Sequence, residues 1–144
     1  MTKMIHSYWA YIVLIILIFA FVNAIIGLTS KKEFGTKDLK ISLFTLIASH
    51  IQLLIGFVAF YMSDFYLTMR SIGMGEVMKN SDLRKILIEH PLVGIIAIIL
   101  ITIGFSKHKK IATSAKKFKT IAIFYGVALI LILSRIPWSQ WFSN

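Results

Sequence analysis

With 144 residues, 58% of them apolar and only 15% charged, the chain holds more apolar side chain than a water-soluble domain of its size could bury, so lipid must serve as part of its solvent. The net charge of +10 comes mostly from lysines that flank apolar runs, and it leaves no aromatic–basic surface of the kind that binds nucleic acid. With no cysteine, disulfides, thiolate metal sites, covalent c-type haem and iron–sulfur clusters are excluded as products of this chain alone.

Four stretches read as membrane spans, at about residues 6–29, 40–63, 86–106 and 119–137, against a need for roughly 20 apolar residues to cross a bilayer core. The first is uncharged from residue 4 to residue 30. It is longer than the roughly 7–15-residue core of a signal peptide and no small-x-small cleavage site follows, so it reads as a retained helix. Steps of three and four residues along it give the stripe His6, Trp9, Val13, Ile16, Ala20, Asn23 and Gly27. Residues 31–40 then contribute four lysines. The second span is uncharged over residues 41–63 and carries a stripe of Ser42, Thr45, Ser49, Gln52, Gly56, Ala59 and Ser63. His50 falls off that stripe, beside Leu46, Leu54, Phe57 and Tyr61.

The longest connection, residues 64–85, interleaves Met69, Ile72, Met74, Val77 and Met78 with Arg70, Glu76 and Lys79. That pattern points to an interfacial helix, which Gly73 and Gly75 keep short. The third span reaches full length only by admitting Glu89 and His90. Pro91 suits a first helical turn, where its missing N–H costs nothing, and the stripe is His90, Gly94, Ala97, Ile101 and Gly104. Residues 107–119 add six lysines, and His108 among them is expected to be solvated. The fourth span, with Tyr125, Ala128, Ile132 and Arg135 on one face, closes on Ile136, Pro137 and Trp138.

The positive-inside rule places the lysine-rich connections, residues 30–39 and 107–118, in the cytoplasm and both termini outside. Trp9, Trp138 and Trp141 would then form an outer aromatic belt, and lipid headgroups are the partners of the lysines. The fold class that follows is all-α integral membrane: an antiparallel, up-down-up-down four-helix transmembrane bundle, its helices crossing at about 20° over small-residue stripes.

Ionisable groups inside a span are costly and mark function. His50 lies ten residues from Lys40, about 15 Å and hence near mid-bilayer, and His90 lies sixteen residues from Ser106, about 24 Å, in the outer half. Gly94, one turn from His90, leaves room for a flat group. His6 and Arg135 stand at the outer boundary. Imidazoles on facing helices are the usual axial ligands of a membrane b-type haem, and an arginine suits a propionate. On this reading His50 and His90, offset by about 9 Å in depth on ideal helices, hold the iron. His6 and Arg135 lie on the propionate side.

His6-Ser7-Tyr8-Trp9, His50-Ile51-Gln52-Leu53-Leu54-Ile55-Gly56, Glu89-His90-Pro91 and Arg135-Ile136-Pro137-Trp138 resemble, over nearly the whole chain, a family of small bacterial four-helix membrane proteins labelled cytochrome b-like. The resemblance implies haem b and electron transfer in the bacterial cytoplasmic membrane, with quinone or respiratory-chain proteins as partners. The chain lacks the arginine that this pattern has just after the His6 region. A competing reading is a non-catalytic membrane subunit or assembly factor of a larger respiratory complex, without a cofactor of its own, in a homo- or hetero-oligomer. A transporter ranks below both, since no internal repeat or broken span is present. No serine sits in a nucleophile context that would support hydrolysis.

Overall fold

The computed structural model describes residues 2–135, the side chains of Thr2, Lys3, Ile86 and Arg135 apart. Ile136, Pro137, Trp138 and Trp141, and with them part of the aromatic belt, lie outside the described residues. Among the described residues four helices are long and apolar enough to cross a membrane. They are α1 (Thr2–Thr29), α2 (Thr36–Tyr61), α6 (His90–Lys109) and α7 (Ser114–Arg135). Each packs antiparallel on its neighbours in the chain, and α7 closes the ring against α1. The protein is thus a four-helix membrane bundle of the expected class, with the start of α1 and the end of α7 at one end of it and the lysine-rich connections at the other.

Local sequence signals account for several of the helix ends. After α1, Lys31 adopts left-handed backbone at φ 55°, and the Lys32 N–H reaches back to the Gly27 carbonyl at 3.1 Å, a Schellman-type stop. Gly35 caps α2, and the carboxylate of Asp38 accepts the Gly35 N–H at 2.9 Å, half of a capping box. Between α2 and α6 the chain makes α3 (Asp64–Ile72), α4 (Met74–Lys79) and α5 (Ser81–Arg84). Gly73, at φ 85°, ends α3. Asn80 caps α5 by accepting the N–H groups of Asp82 and Leu83. The expected single interfacial helix is therefore three short ones.

A π-helical turn, Lys85–Glu89, leads directly into α6. Pro91 has no N–H, and its ring would collide with the carbonyl four residues back in a straight helix. The widened turn, in which the His90 N–H bonds to the Lys85 carbonyl, makes the space. The third span therefore runs on through Pro91 rather than starting at it.

The small-residue stripes meet in the interior. Leu17, Ala20 and Ala24 of α1, Ala97 and Ile101 of α6, and Phe118, Ile121, Tyr125 and Ala128 of α7 form the core. Alanines let helix axes approach where lipid supplies no hydrophobic force between helices. The α2 face is hydroxylic instead: Ser42, Thr45 and Ser49 are buried. Each bonds the carbonyl four residues back in its own helix, so no donor is left unsatisfied. The Tyr125 hydroxyl crosses the bundle to the Ser42 carbonyl at 2.8 Å.

Gly104 sets the α6–α7 approach. A methyl group there would overlap the Cβ of Phe124, an atom fixed to the α7 backbone that cannot swing aside. Gly104→Ala should therefore destabilise the bundle by about 1–3 kcal/mol, read as a lower thermal midpoint in detergent. An unchanged midpoint would contradict this packing.

Candidate functional site

Three polar centres lie along the bundle. At the end opposite the lysine-rich connections, His6 of α1 reaches His90 of α6: the rings are 6.3 Å apart between centroids and perpendicular at 89°. Gln52 of α2 donates to the His6 carbonyl at 3.1 Å. Below the His6 ring is Gly56, where a Cβ would stand 3.4 Å from the ring carbon Cε1 and 3.7 Å from Nδ1. A methyl group there would touch the ring at ordinary van der Waals distance, so the imidazole packs directly on the α2 backbone. His6 Nδ1 and Gln52 Oε1 are buried and accept or donate no hydrogen bond within the described residues. Gly94, one turn along α6 from His90, has nothing within 4 Å of where a Cβ would be. Trp9 anchors this end by donating its indole N–H to the Ala48 carbonyl at 2.9 Å.

The second centre is a single pair. His50 Nε2 lies 2.9 Å from Thr102 Oγ1. The Thr102 hydroxyl spends its one proton on the Ile98 carbonyl at 2.8 Å, so it can only accept from His50. The Nε2 atom therefore carries the proton, and Nδ1 is an acceptor. His50 is exposed on the outside of the bundle, in a shallow groove of about 250 Å³ with Leu46, Ile47, Ile51 and Leu54.

The structure does not bring His50 to His90. Thr102, which holds His50, is twelve residues beyond His90, about 18 Å along α6 and twice the expected offset. Part of the difference, about 4.5 Å, arises because α6 runs three residues past Ser106 to Lys109, where basic residues complement its dipole. It is His6 that meets His90. Arg135 closes α7, but its side chain lies outside the description. Glu89, beside His90, is paired with Arg84 at 3.0 Å.

The third centre, at the lysine-rich end, was not expected. Asp38 is 1% exposed. Its carboxylate accepts from Asn23 at 2.9 Å, Lys32 at 3.1 Å and the Gly35 N–H at 2.9 Å. His108 is not solvated: it is 1% exposed and packs against Phe34 and Phe105. Its Nδ1 is bonded to the Phe105 carbonyl, and Lys117 donates to its own carbonyl at 2.9 Å. A signal for His108 was present, since the stripe Ala97, Ile101, Gly104 continues to it by one more step of four. Asp38 was legible only as an acid three residues after a helix-capping glycine.

Chemically, the described residues include no group of three or more His, Asp or Glu able to cage a metal. What they offer is a pair of imidazoles. A separation of 6.3 Å between ring centroids is ordinary for an edge-to-face contact. It is also close to the roughly 6 Å expected when two imidazole nitrogens lie about 2 Å on either side of one ion. No protein family, curated protein or solved structure matches the chain, so what stands is the architecture and this geometry: a multi-pass four-helix membrane protein with an imidazole pair inside one end of the bundle.

Proposed function

We propose that the protein is a membrane b-type cytochrome-like electron carrier, with haem b held by His6 and His90 in the outer part of the bundle. The observation that carries the reading is the approach of these two rings to 6.3 Å from helices on opposite sides of the ring. The donor set fits: among the described residues it is two imidazoles without a third His, Asp or Glu, which would suit a haem iron better than a tetrahedral metal site. Two further features support it, the unsatisfied His6 Nδ1 beside Gly56 and the open space at Gly94. The resemblance to the cytochrome b-like family points the same way.

In this reading His6 and His90 would hold the iron through ring nitrogens, Gly94 would keep side-chain bulk away, and Gln52 fixes the α1 backbone that carries His6. Arg135 is the candidate partner of a propionate. Haem, when bound, supplies one-electron transfer between ferric and ferrous states. Quinone or respiratory-chain proteins of the bacterial cytoplasmic membrane are the exchange partners this implies. His50 stands apart from the ligand pair, on the lipid-facing side.

The test is an absorption spectrum of protein purified from haem-replete cells. A reduced-minus-oxidised band in the b-type region with about one haem per chain or dimer is expected. A colourless protein sinks the reading and leaves that of a cofactor-free subunit.

A further inference from the structure

We infer that the lysine-rich end holds a binding site for a hydroxyl-bearing phosphate group, set in the groove between the start of α2 and the end of α6. This goes beyond the haem reading and does not depend on it. The groove measures about 440 Å³ and is lined by Phe34, Thr36, Leu39, His108, Lys109 and Lys117. Three independent features converge on it.

The first is the N-terminus of α2. Thr36 and Lys37 are its first two residues, and their N–H groups have no carbonyl one turn back within the helix to receive them. A helix start of this kind favours an anion. The local acid does not compete, because the Asp38 carboxylate is turned inward, 1% exposed, and ion-paired with Lys32 at 3.1 Å. The second feature is charge. Lys109 and Lys117 stand on the groove wall, held over the rings of Phe105 and Phe34 at 5.7 and 5.6 Å. Lys117 spends one ammonium proton on the His108 carbonyl, leaving two for a ligand.

The third feature is a buried polar atom without a partner. A carbonyl can only accept, so the contact with Phe105 puts a proton on His108 Nδ1. The Nε2 atom on the other side of the ring is buried and makes no hydrogen bond. In the neutral ring it is an acceptor, and an unmatched buried acceptor is expensive. A phosphate with a hydroxyl on it or beside it satisfies this atom in either state. The hydroxyl donates to neutral Nε2, or a phosphate oxygen accepts from the protonated ring. Two sources offer that chemistry at a membrane face: hydrogen phosphate in solution and the headgroup of phosphatidylglycerol.

The experiment uses the full chain in mild detergent and follows its thermal midpoint during titration with phosphatidylglycerol, with phosphatidylcholine, and with inorganic phosphate. Native mass spectrometry counts bound lipid. A saturable rise with phosphatidylglycerol alone identifies the lipid source, and a saturable rise with phosphate identifies the free anion. In either case Lys109→Gln with Lys117→Gln should weaken the apparent affinity about tenfold or more, the loss expected for a charged hydrogen bond. His108→Phe, which keeps an aromatic ring and removes Nε2, should weaken it as well. Should that variant fold poorly, the lysine pair decides alone. Lys31→Gln with Lys40→Gln, which lie outside the groove wall, should bind as the unaltered protein does. No saturable effect of either ligand overturns the site. So does an equal loss in both lysine pairs, which would mean diffuse attraction to headgroups.

Discussion

His6→Ala and His90→Ala are each expected to lower the haem content of the purified protein by about tenfold or more, on the proposed reading, while His50→Ala leaves it within error of the unaltered protein. Changes that merely disturb metal ligands from the second shell already cost 10–100-fold, so losing an axial nitrogen should cost at least as much. His50 is separated from the pair by about 18 Å of α6 and is held instead by Thr102. Haem content per chain, from a pyridine haemochrome spectrum, is the measurement. Gly94→Leu supplies an independent arm: both histidines remain, but the open space beside His90 is filled, and haem content should fall with the bundle still folded. Loss of haem in His50→Ala with retention in His6→Ala would reverse the ligand assignment.

The second large effect is expected at Asp38. Its carboxylate collects an amide, an ammonium and a backbone N–H, and so joins the end of α1 to the start of α2. Asp38→Ala leaves the Asn23 amide and the Gly35 N–H without that acceptor in a buried place. Hydrogen bonds to charged groups contribute about 1.5–3 kcal/mol, and the half-exposed Lys32 adds little to that. A net loss of about 2–3 kcal/mol follows. Asp38→Asn, which keeps one oxygen acceptor, should lose less. Glu33→Ala, in the same connection but exposed, serves as the reference in a thermal or denaturant titration. A loss at Asp38 no larger than at Glu33 would remove the case for a buried clamp.

Most of the fold could be read before any coordinates, because lipid imposes a simple rule on composition. Runs of apolar residues long enough to span, stripes of small residues and lysine-rich turns each map onto one structural decision. Ala97, Ile101 and Gly104 entered the interior as their spacing required. The site was harder. Depth along a helix can be counted, but the register between helices depends on how far each extends past its apolar run. Here α6 continued three residues beyond Ser106, which accounts for about 4.5 Å, or half, of the extra separation between His50 and His90; the rest lies in the register of α2 against α6. Burial of the lysine-flanked His108 was hidden for a related reason. Composition marks the segment as solvated, while the continuing helical phase of α6 turns one of its residues inward against Phe34.

The uneven burial along α2 has a consequence for how the protein opens. The fully buried residues of this helix, Asp38, Ser42, Thr45, Ala48 and Ser49, all precede His50. None follows it, although the helix continues to Tyr61. Contacts that resist separation are thus gathered at the lysine-rich half, and the half bearing Gln52 and Gly56 is held mainly through α1. Burial distributed in this way predicts that the bundle opens from the end around His6 and His90 more readily than from the loop end. A bulky prosthetic group could then be received at that end, without taking apart a finished core. In hydrogen exchange, the amides of residues 53–60 should lose protection well before those of residues 42–49.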